Sequence, residues 1–448
     1  MNPKEKIVAA IDIGTTKIVA IIGKKNENGK IEILGYGNTK STGVKRGVVL
    51  NIEQTVIAIR QAADLAEAQA GLKITDAYVG IAGQHIRSMR NRGYINRDSY
   101  DAEISKEDVQ ALVDDMFKIP IDVGEEIIHV LPQSYVVDNE TGVKNPVGMF
   151  GKRLEANFHI VIGQTAAANN IKKCVNRAGI NVKKLILEPL ASSDAVLTED
   201  EKEIGVALVD IGGGTTDVAV FYDGIIRHTA VIPFGGNIVT QDIKQGCNIL
   251  ERYAEQLKLK YGSSLADKAQ ENKVVSIPGI NGRPPKEISF KNLAHIIQSR
   301  MEEIIAQVYF EIEASGMSQY LGAGIVLTGG GALLKNLNQL VAFKTGLDVR
   351  TGLPSQNIQS DKMEEVNQPT FATSFGLILN GFNEKGDNCA EAKIMVPKME
   401  KKQVTVPDNE PEPVVMEVEP VEKKQSKKKI SNLFDKLGEF FEVDDQQM

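Results

Sequence analysis

Two stretches about 200 residues apart repeat one pattern: KIVAAIDIGTTKIVAIIG at 6–23 and IGVALVDIGGGTTDVAVFYDG at 204–224. Each opens on a short, β-branched apolar run, Ile7 to Ile11 in the first and Val206 to Val209 in the second, as buried strands do. Each run then meets Asp-Ile-Gly and a second apolar run, so each echo predicts strand, tight turn, strand. A unit repeated at this distance predicts a duplicated α/β domain. The turns have a chemistry of their own. Surrounding several negative oxygens at close range needs main-chain N–H groups in a tight turn, and glycine lets the backbone approach. In the first turn Gly14, Thr15, Thr16 and Lys17 offer backbone donors, two hydroxyls and a cation. In the second, Gly212, Gly213, Gly214, Thr215 and Thr216 do the same. Asp12 and Asp210 end the preceding strands and are expected to face each other across a cleft. Carboxylates there suit Mg²⁺ held through its waters, because that ion dehydrates reluctantly.

A single Asp-x-Gly after a strand is usually only a turn; the argument rests on two copies and on a third glycine element. In AGIVLTGGGALLKNL at 323–337, Gly329, Gly330 and Gly331 lie between a buried strand and a helix, where a ribose or adenine could rest against bare backbone. Other nucleotide signatures are absent: the sequence holds neither G-x-x-x-x-G-K-[ST] nor G-x-G-x-x-G.

Composition bounds the rest. The 448 residues carry 52 Lys and Arg against 59 Asp and Glu, net −7, which argues against a nucleic-acid protein. Three cysteines, 174, 247 and 389, without a Cys-x-x-Cys pair fit neither a disulfide framework nor a zinc ribbon and point to a reducing cytosol. The N-terminal apolar run is too soon interrupted for a signal peptide, and no apolar run is long enough to span a membrane. The five histidines are scattered and indicate no metal site or local triad.

Between the echoes, EQTVIAIRQAADLAEAQA at 53–70 has apolar residues at helical spacing and stops at Gly71. Segment 84–163 reads as a small α+β insertion, with strand-like VVDN and NFHIVIG and one helix opened by Ser105 with Asp108 three residues on. Helical patterns cover 238–262 and 291–314. The character changes past about Gly386: residues 398–429 hold Pro407, Pro411, Pro413 and Pro420 among acidic residues, then KKQSKKK at 423–429, which predicts an unstructured linker. Order is expected to return at 430–443. There Ile430, Leu433, Phe434, Leu437, Phe440 and Phe441 form one apolar stripe at i, i+3, i+4, i+7, i+10 and i+11. With Lys427, Lys428 and Lys429 just before it, the stripe predicts a reversible anchor on an anionic membrane surface. The open alternative is docking onto the body or into a partner's groove, since the helix's polar face is mainly acidic.

DIGTTK, DIGGGTTD and IVLTGGGALL resemble, in chain order, the phosphate-1, phosphate-2 and adenosine motifs of the actin, heat-shock chaperone and sugar-kinase superfamily of ATPases. Within it the chain resembles the FtsA family of bacterial cell-division proteins over nearly its whole length. YVGIAGQHIRSMRNRGY at 78–94 is similar to the start of that family's inserted subdomain, and a terminal amphipathic helix on a linker is the family's ending. The resemblance implies an actin-like, two-lobed fold built from duplicated RNase H-like domains. Its first lobe (1A) would be 1–83, 164–200 and 369–383, with the insertion (1C) at 84–163. The second lobe (2A) would be 201–233 and 316–368, subdomain 2B 234–315, the linker 384–429 and the amphipathic helix 430–443. It implies ATP and Mg²⁺ as ligands, with weak hydrolysis at most. LEPLASS at 187–193 resembles a connecting segment that puts Glu188 near the attacking water, and Asp217 would help hold metal or water. AEQLK at 254–258 and PFGGN at 233–237 resemble segments that bring Glu255 and Lys258 to the ribose and adenine, and Gly235 and Gly236 to the phosphates. Where the chaperones of the superfamily carry a polar and then a cationic residue after the adenosine glycines, this chain has Ala332 and Leu333, so adenine would meet apolar packing. The implied partners are further copies in an actin-like filament, the C-terminal peptide of the tubulin-like FtsZ, the inner face of the cytoplasmic membrane at the division site, and other membrane proteins of the division machinery. LAHIIQSR at 293–300 makes Arg300 a candidate for the FtsZ contact, the alternative being a solvated helix surface. Two rival readings are a pilus-assembly relative binding a membrane protein's tail and a metabolite kinase of the same superfamily; the kinase has no use for the tail.

Overall fold

The computed structural model describes residues 6–26, 30–97, 101–279, 283–354, 358–359, 366–384 and 414–417. Both echoes fold as hairpins. Ile7–Ile13 pairs antiparallel with Lys17–Lys25, Ile13 opposite Ile18; Val206–Ile211 pairs with Thr216–Tyr222, Ile211 opposite Thr216. Each hairpin is extended on one side by an antiparallel strand, Ile31–Lys40 in the first sheet and Ile225–Ile232 in the second. On the other side two strands join in parallel: Asp76–Ile81 then Asn181–Leu187 in the first, Ile325–Thr328 then Val349–Thr351 in the second. The shared strand order is the duplication made visible. It also brings both aspartates to the carboxyl end of the first strand of a sheet, where α/β folds bind their ligands.

Helix Ile52–Ala70 packs on one face of the first sheet through Ala58, Ala62, Ala63 and Ala66. Asn51 caps it by accepting from the Gln54 N–H, and Gly71 ends it at φ 67°. The other faces of the two sheets share one apolar cluster, in which helices Glu188–Val196 and Ala372–Asn383 lie with Val19, Ile21, Leu208 and Ala219. These helices touch at backbone distance: a Cβ on Gly376 would stand 1.7 Å from the Ala191 carbonyl oxygen. The insertion is a four-stranded sheet, Arg87–Asn96, Arg153–Gln164, Glu125–Val137 and Glu140–Val143 in spatial order, with helix Lys106–Met116 on it. That helix starts as expected, with Ser105 and Asp108 forming a reciprocal capping box.

Three expectations need correction. The helical stretch 238–262 is two helices, Gly236–Cys247 and Glu251–Tyr261, because Asn248 takes a left-handed conformation (φ 47°) that ends the first. After Ile325–Thr328 the glycines enter a 3₁₀ turn, Gly330–Leu333, and the α-helix begins only at Leu337. Within the expected linker, Val414–Glu417 forms a strand pairing antiparallel with Lys273–Ile277, whose other neighbour is Lys286–Ser289; the β-branched Val-Val pair suits such an edge. This small sheet belongs to a compact unit of its own, in which the described residues are 270–279, 283–290 and 414–417. The membrane-anchor expectation, Lys427 to Phe441, lies outside the described residues. No helix among the described residues is long and apolar enough to cross a membrane.

Candidate functional site

Both hairpin turns, the triplet Gly329–Gly331 and the start of helix Gly236–Cys247 line one cavity of about 430 Å³, a size suited to a small ligand. The second turn is fixed from behind. The Gly236 N–H donates to the Gly212 carbonyl at 2.9 Å and that of Asn237 to the Gly213 carbonyl at 2.8 Å. The N–H groups of Gly213 and Gly214 have no backbone acceptor among the described residues and remain available to a ligand. The two turns also interlock. A Cβ on Gly213 would stand 1.9 Å from Thr16 Oγ1, and one on Gly214 2.5 Å from Thr15 Oγ1. The glycines of one turn are thus the space into which the threonines of the other project.

Four carboxyls line the cavity: the buried Asp12, Asp210 and Asp217 and the partly buried Glu188. Burial pushes Asp12 up to about 6, with Lys17 opposing and Asp210 adding to the rise. Burial likewise raises Asp210, and raises Asp217 and Glu188 well above the usual carboxylate range. Burial depresses Lys17, against the pull of the two aspartates; its ammonium donates to the Thr370 carbonyl at 2.6 Å and lies 4.3 Å from the Phe371 ring centre. Asp217 Oδ1 is buried with no hydrogen-bond partner among the described residues. Acceptors this short of protons and counter-charge fit a hydrated divalent cation. Among the described residues no group of three His, Cys, Asp or Glu side chains is arranged to hold a metal ion directly.

At the other end of the cavity the Lys258 ammonium donates to the Gly236 carbonyl at 3.0 Å and to Thr240 Oγ1 at 2.8 Å, and pairs with Glu255 at 2.8 Å. Leu259, Leu333, Leu334 and Met301 form an apolar wall beside them. The first residue of helix Glu188–Val196 is Glu188 itself, so its carboxylate also meets a helix N-terminus.

Two residues expected at the ligand are set back from it. Thr216 is fully buried and donates to the Phe234 carbonyl at 2.8 Å, because in the antiparallel ladder it points away from its neighbour Asp217. Gly235 supports the second turn from behind, where a Cβ would be 2.5 to 2.9 Å from the carbonyl oxygens of Gly212, Thr215 and Gly213. Arg300 lies outside the cavity, in a two-point contact with Asp242 at 2.5 and 3.2 Å and an ion pair with Glu303. Pro369, Thr370 and Thr373 line the site without having been singled out in the sequence. Their run, PTFATS, has no turn signature and follows Asp12 by more than 350 residues, so only tertiary structure joins them to it.

The family model described as cell division protein FtsA matches residues 207–376, and that of the SHS2 domain inserted in FtsA matches 83–162. The FtsA of Pseudomonas aeruginosa is 42% identical over 382 residues, which is 85% of this chain and 91% of that protein. The FtsA of Escherichia coli is 36% identical, over 84% of this chain and 90% of its own length. Among solved structures, a PilM–PilN type IV pilus biogenesis complex superposes with a TM-score of 0.63 at 15% identity, covering 84% of this chain and 99% of that one; at that identity it is a likeness of fold. With this extent of identity to whole relatives, and with both the core and the insertion matched, the chain belongs to the FtsA family of cell-division proteins, actin-like in fold.

Proposed function

We propose that this protein binds ATP with Mg²⁺ in the cavity, assembles with further copies of itself, and tethers FtsZ polymers to the inner face of the cytoplasmic membrane during division. The observation that carries the nucleotide reading is the meeting of two interlocked acid-glycine turns with a third glycine turn around one cavity. In this reading the backbone donors of 14–17 and 212–215 and the Lys17 ammonium hold the phosphates, with Gly236 beside them and Gly235 supporting the turn. Asp12 and Asp210 accept hydrogen bonds from the waters of Mg²⁺, which when bound would neutralise phosphate charge. Asp217 and Glu188 orient the attacking water; Glu255 and Lys258 meet the ribose and adenine, which lies on the apolar wall beside Gly329–Gly331. We assign these roles within subdomains bounded as the resemblance suggests, 1A, 1C, 2A and 2B, with the FtsZ contact, including Arg300, in 234–315.

Family membership supports the division role. For the anchor, residues 400–448 hold 8 Lys and 12 Asp and Glu, yet five of those lysines cluster at 423–429, directly before the apolar stripe. A single weak anchor holds reversibly, and self-assembly would strengthen it by avidity. The test is co-sedimentation with anionic liposomes, with and without ATP. Full-length protein is expected to pellet, more strongly with ATP, and Phe434→Glu to stay in solution while still binding ATP; continued pelleting of that variant would reject the anchor. An FtsZ C-terminal peptide is expected to bind the body, and no binding at millimolar levels would favour a membrane-protein tail as the partner.

A further inference from the structure

The two aspartates are held by hydroxyls that do not themselves reach the cavity. Ser192, on helix Glu188–Val196, donates to Asp210 Oδ2 at 2.8 Å; Ser374, on helix Ala372–Asn383, donates to Asp12 Oδ2 at 3.2 Å. Both serines are fully buried and neither lines the cavity. One of these contacts crosses between the sheets. Helix Glu188–Val196 leaves directly from Asn181–Leu187, an edge strand of the first sheet, yet its serine holds the aspartate of the second. Helix Ala372–Asn383 follows Ile358–Gln359, which pairs with Ile31–Lys40 of the first sheet, and its Ser374 holds the aspartate of that same sheet. Thr373 adds a third hydroxyl, 3.3 Å from Asp210 Oδ2 and 3.0 Å from Ser192 Oγ.

We propose that Ser192 and Ser374 are positioning residues that form a clamp, each fixing one aspartate so that its outward oxygen accepts from metal-bound water, and so making the site's Mg²⁺ affinity depend on how the second sheet is set against the two helices. This rests on the Mg–nucleotide reading of the cavity. A hydroxyl donating to one carboxylate oxygen removes the rotational freedom of that carboxylate and orients its remaining lone pairs, at little desolvation cost because the hydroxyl is already buried. The helices cannot slide independently, because Gly376 meets the Ala191 backbone with no space for a side chain. A shift of the second sheet against the two helices must therefore part Asp210 from Ser192 and Thr373 together.

The experiment titrates Mg²⁺ against the binding of ATP by the full-length protein and measures ATP affinity in EDTA alongside. Ser192→Ala and Ser374→Ala are each expected to raise the Mg²⁺ concentration for half-maximal binding about tenfold, with the EDTA affinity unchanged. A purely structural role for the serines would lower both affinities together, and that result, or an unchanged Mg²⁺ requirement, would overturn the clamp. Should the alanine variants fold poorly, Thr373→Val is expected to raise the requirement about threefold and Thr373→Ser to restore it; equal requirements in the two would overturn the clamp as well. If the wild type itself shows no Mg²⁺-dependent binding, the nucleotide reading falls and the clamp with it. Wild-type dependence without any shift in the variants rejects the clamp alone.

Discussion

The two hairpin turns are the same device with different chemistry at matched positions. Counting from the aspartates, Gly14 matches Gly212, Thr15 and Thr16 match Gly213 and Gly214, Lys17 matches Thr215, and Val19 matches Asp217. The first turn therefore ends on a cation and the second on a neutral hydroxyl, with an additional anion two residues later. Duplication supplied the geometry; divergence gave one side the means to hold phosphate and the other additional acceptors for a hydrated cation. The glycines follow the same division, since the side chains kept in the first turn occupy the space vacated in the second.

Five substitutions probe this comparison. The largest effect is expected from Asp210→Ala, which removes the carboxylate held by Ser192 and leaves that hydroxyl without its acceptor. Mg²⁺-dependent ATP binding by calorimetry should disappear; unchanged affinity would reject the assignment of the second turn. Next come the matched positions. Lys17→Met is expected to weaken ATP binding about 10- to 100-fold, the range of a charge-assisted hydrogen bond, whereas Thr215→Val should cost no more than about tenfold. Equal losses at the two positions would mean that the turns act as equivalents. A smaller effect is expected from Gly213→Ala, about tenfold, because its methyl would overlap Thr16 Oγ1 and hold the turns apart. Adding Thr16→Gly should recover part of the loss. If the double variant binds no better than Gly213→Ala alone, the interlock is not what makes this glycine necessary.

What could be read from the sequence is what depends on neighbours in the chain. The hairpins around Asp12 and Asp210, the helix ended by Gly71 and the Ser105–Asp108 cap are local patterns, and the structure has all of them. The actin-like class followed because three such patterns occur in order. The break at Asn248 was hidden, since one left-handed residue interrupts a helix without disturbing its apolar period. Thr216 was misjudged for a related reason: strand alternation, not the turn motif, decides which of Thr216 and Asp217 faces the cavity. Thr370, Thr373 and Ser374 could not be read at all, because their meaning comes from lying against residues more than 150 positions away in sequence.

The smallest expected effect separates the two aspartates in the nucleotide-free protein. Burial carries the Asp12 carboxyl from 3.8 up to about 6, so between those values the folded chain keeps a proton that the unfolded chain has lost. The stability this supplies is complete below about pH 4 and is lost as pH rises to about 6. Two pH units correspond to roughly 3 kcal/mol, an upper bound because the neighbouring carboxyls titrate together with Asp12. Asparagine cannot ionise. In EDTA and without nucleotide, Asp12→Asn is therefore expected to be more stable than the wild type at pH 7.5, with the difference closing towards pH 4. Asp210→Asn should gain less, because Ser192 and Thr373 already stabilise the ionised form of Asp210. Denaturant unfolding between pH 4 and 8 measures both differences. Equal gains would mean that the hydroxyls do not distinguish the two turns, and a wild type whose stability rises from pH 4 to 6 no less steeply than that of Asp12→Asn would mean that Asp12 is not held protonated.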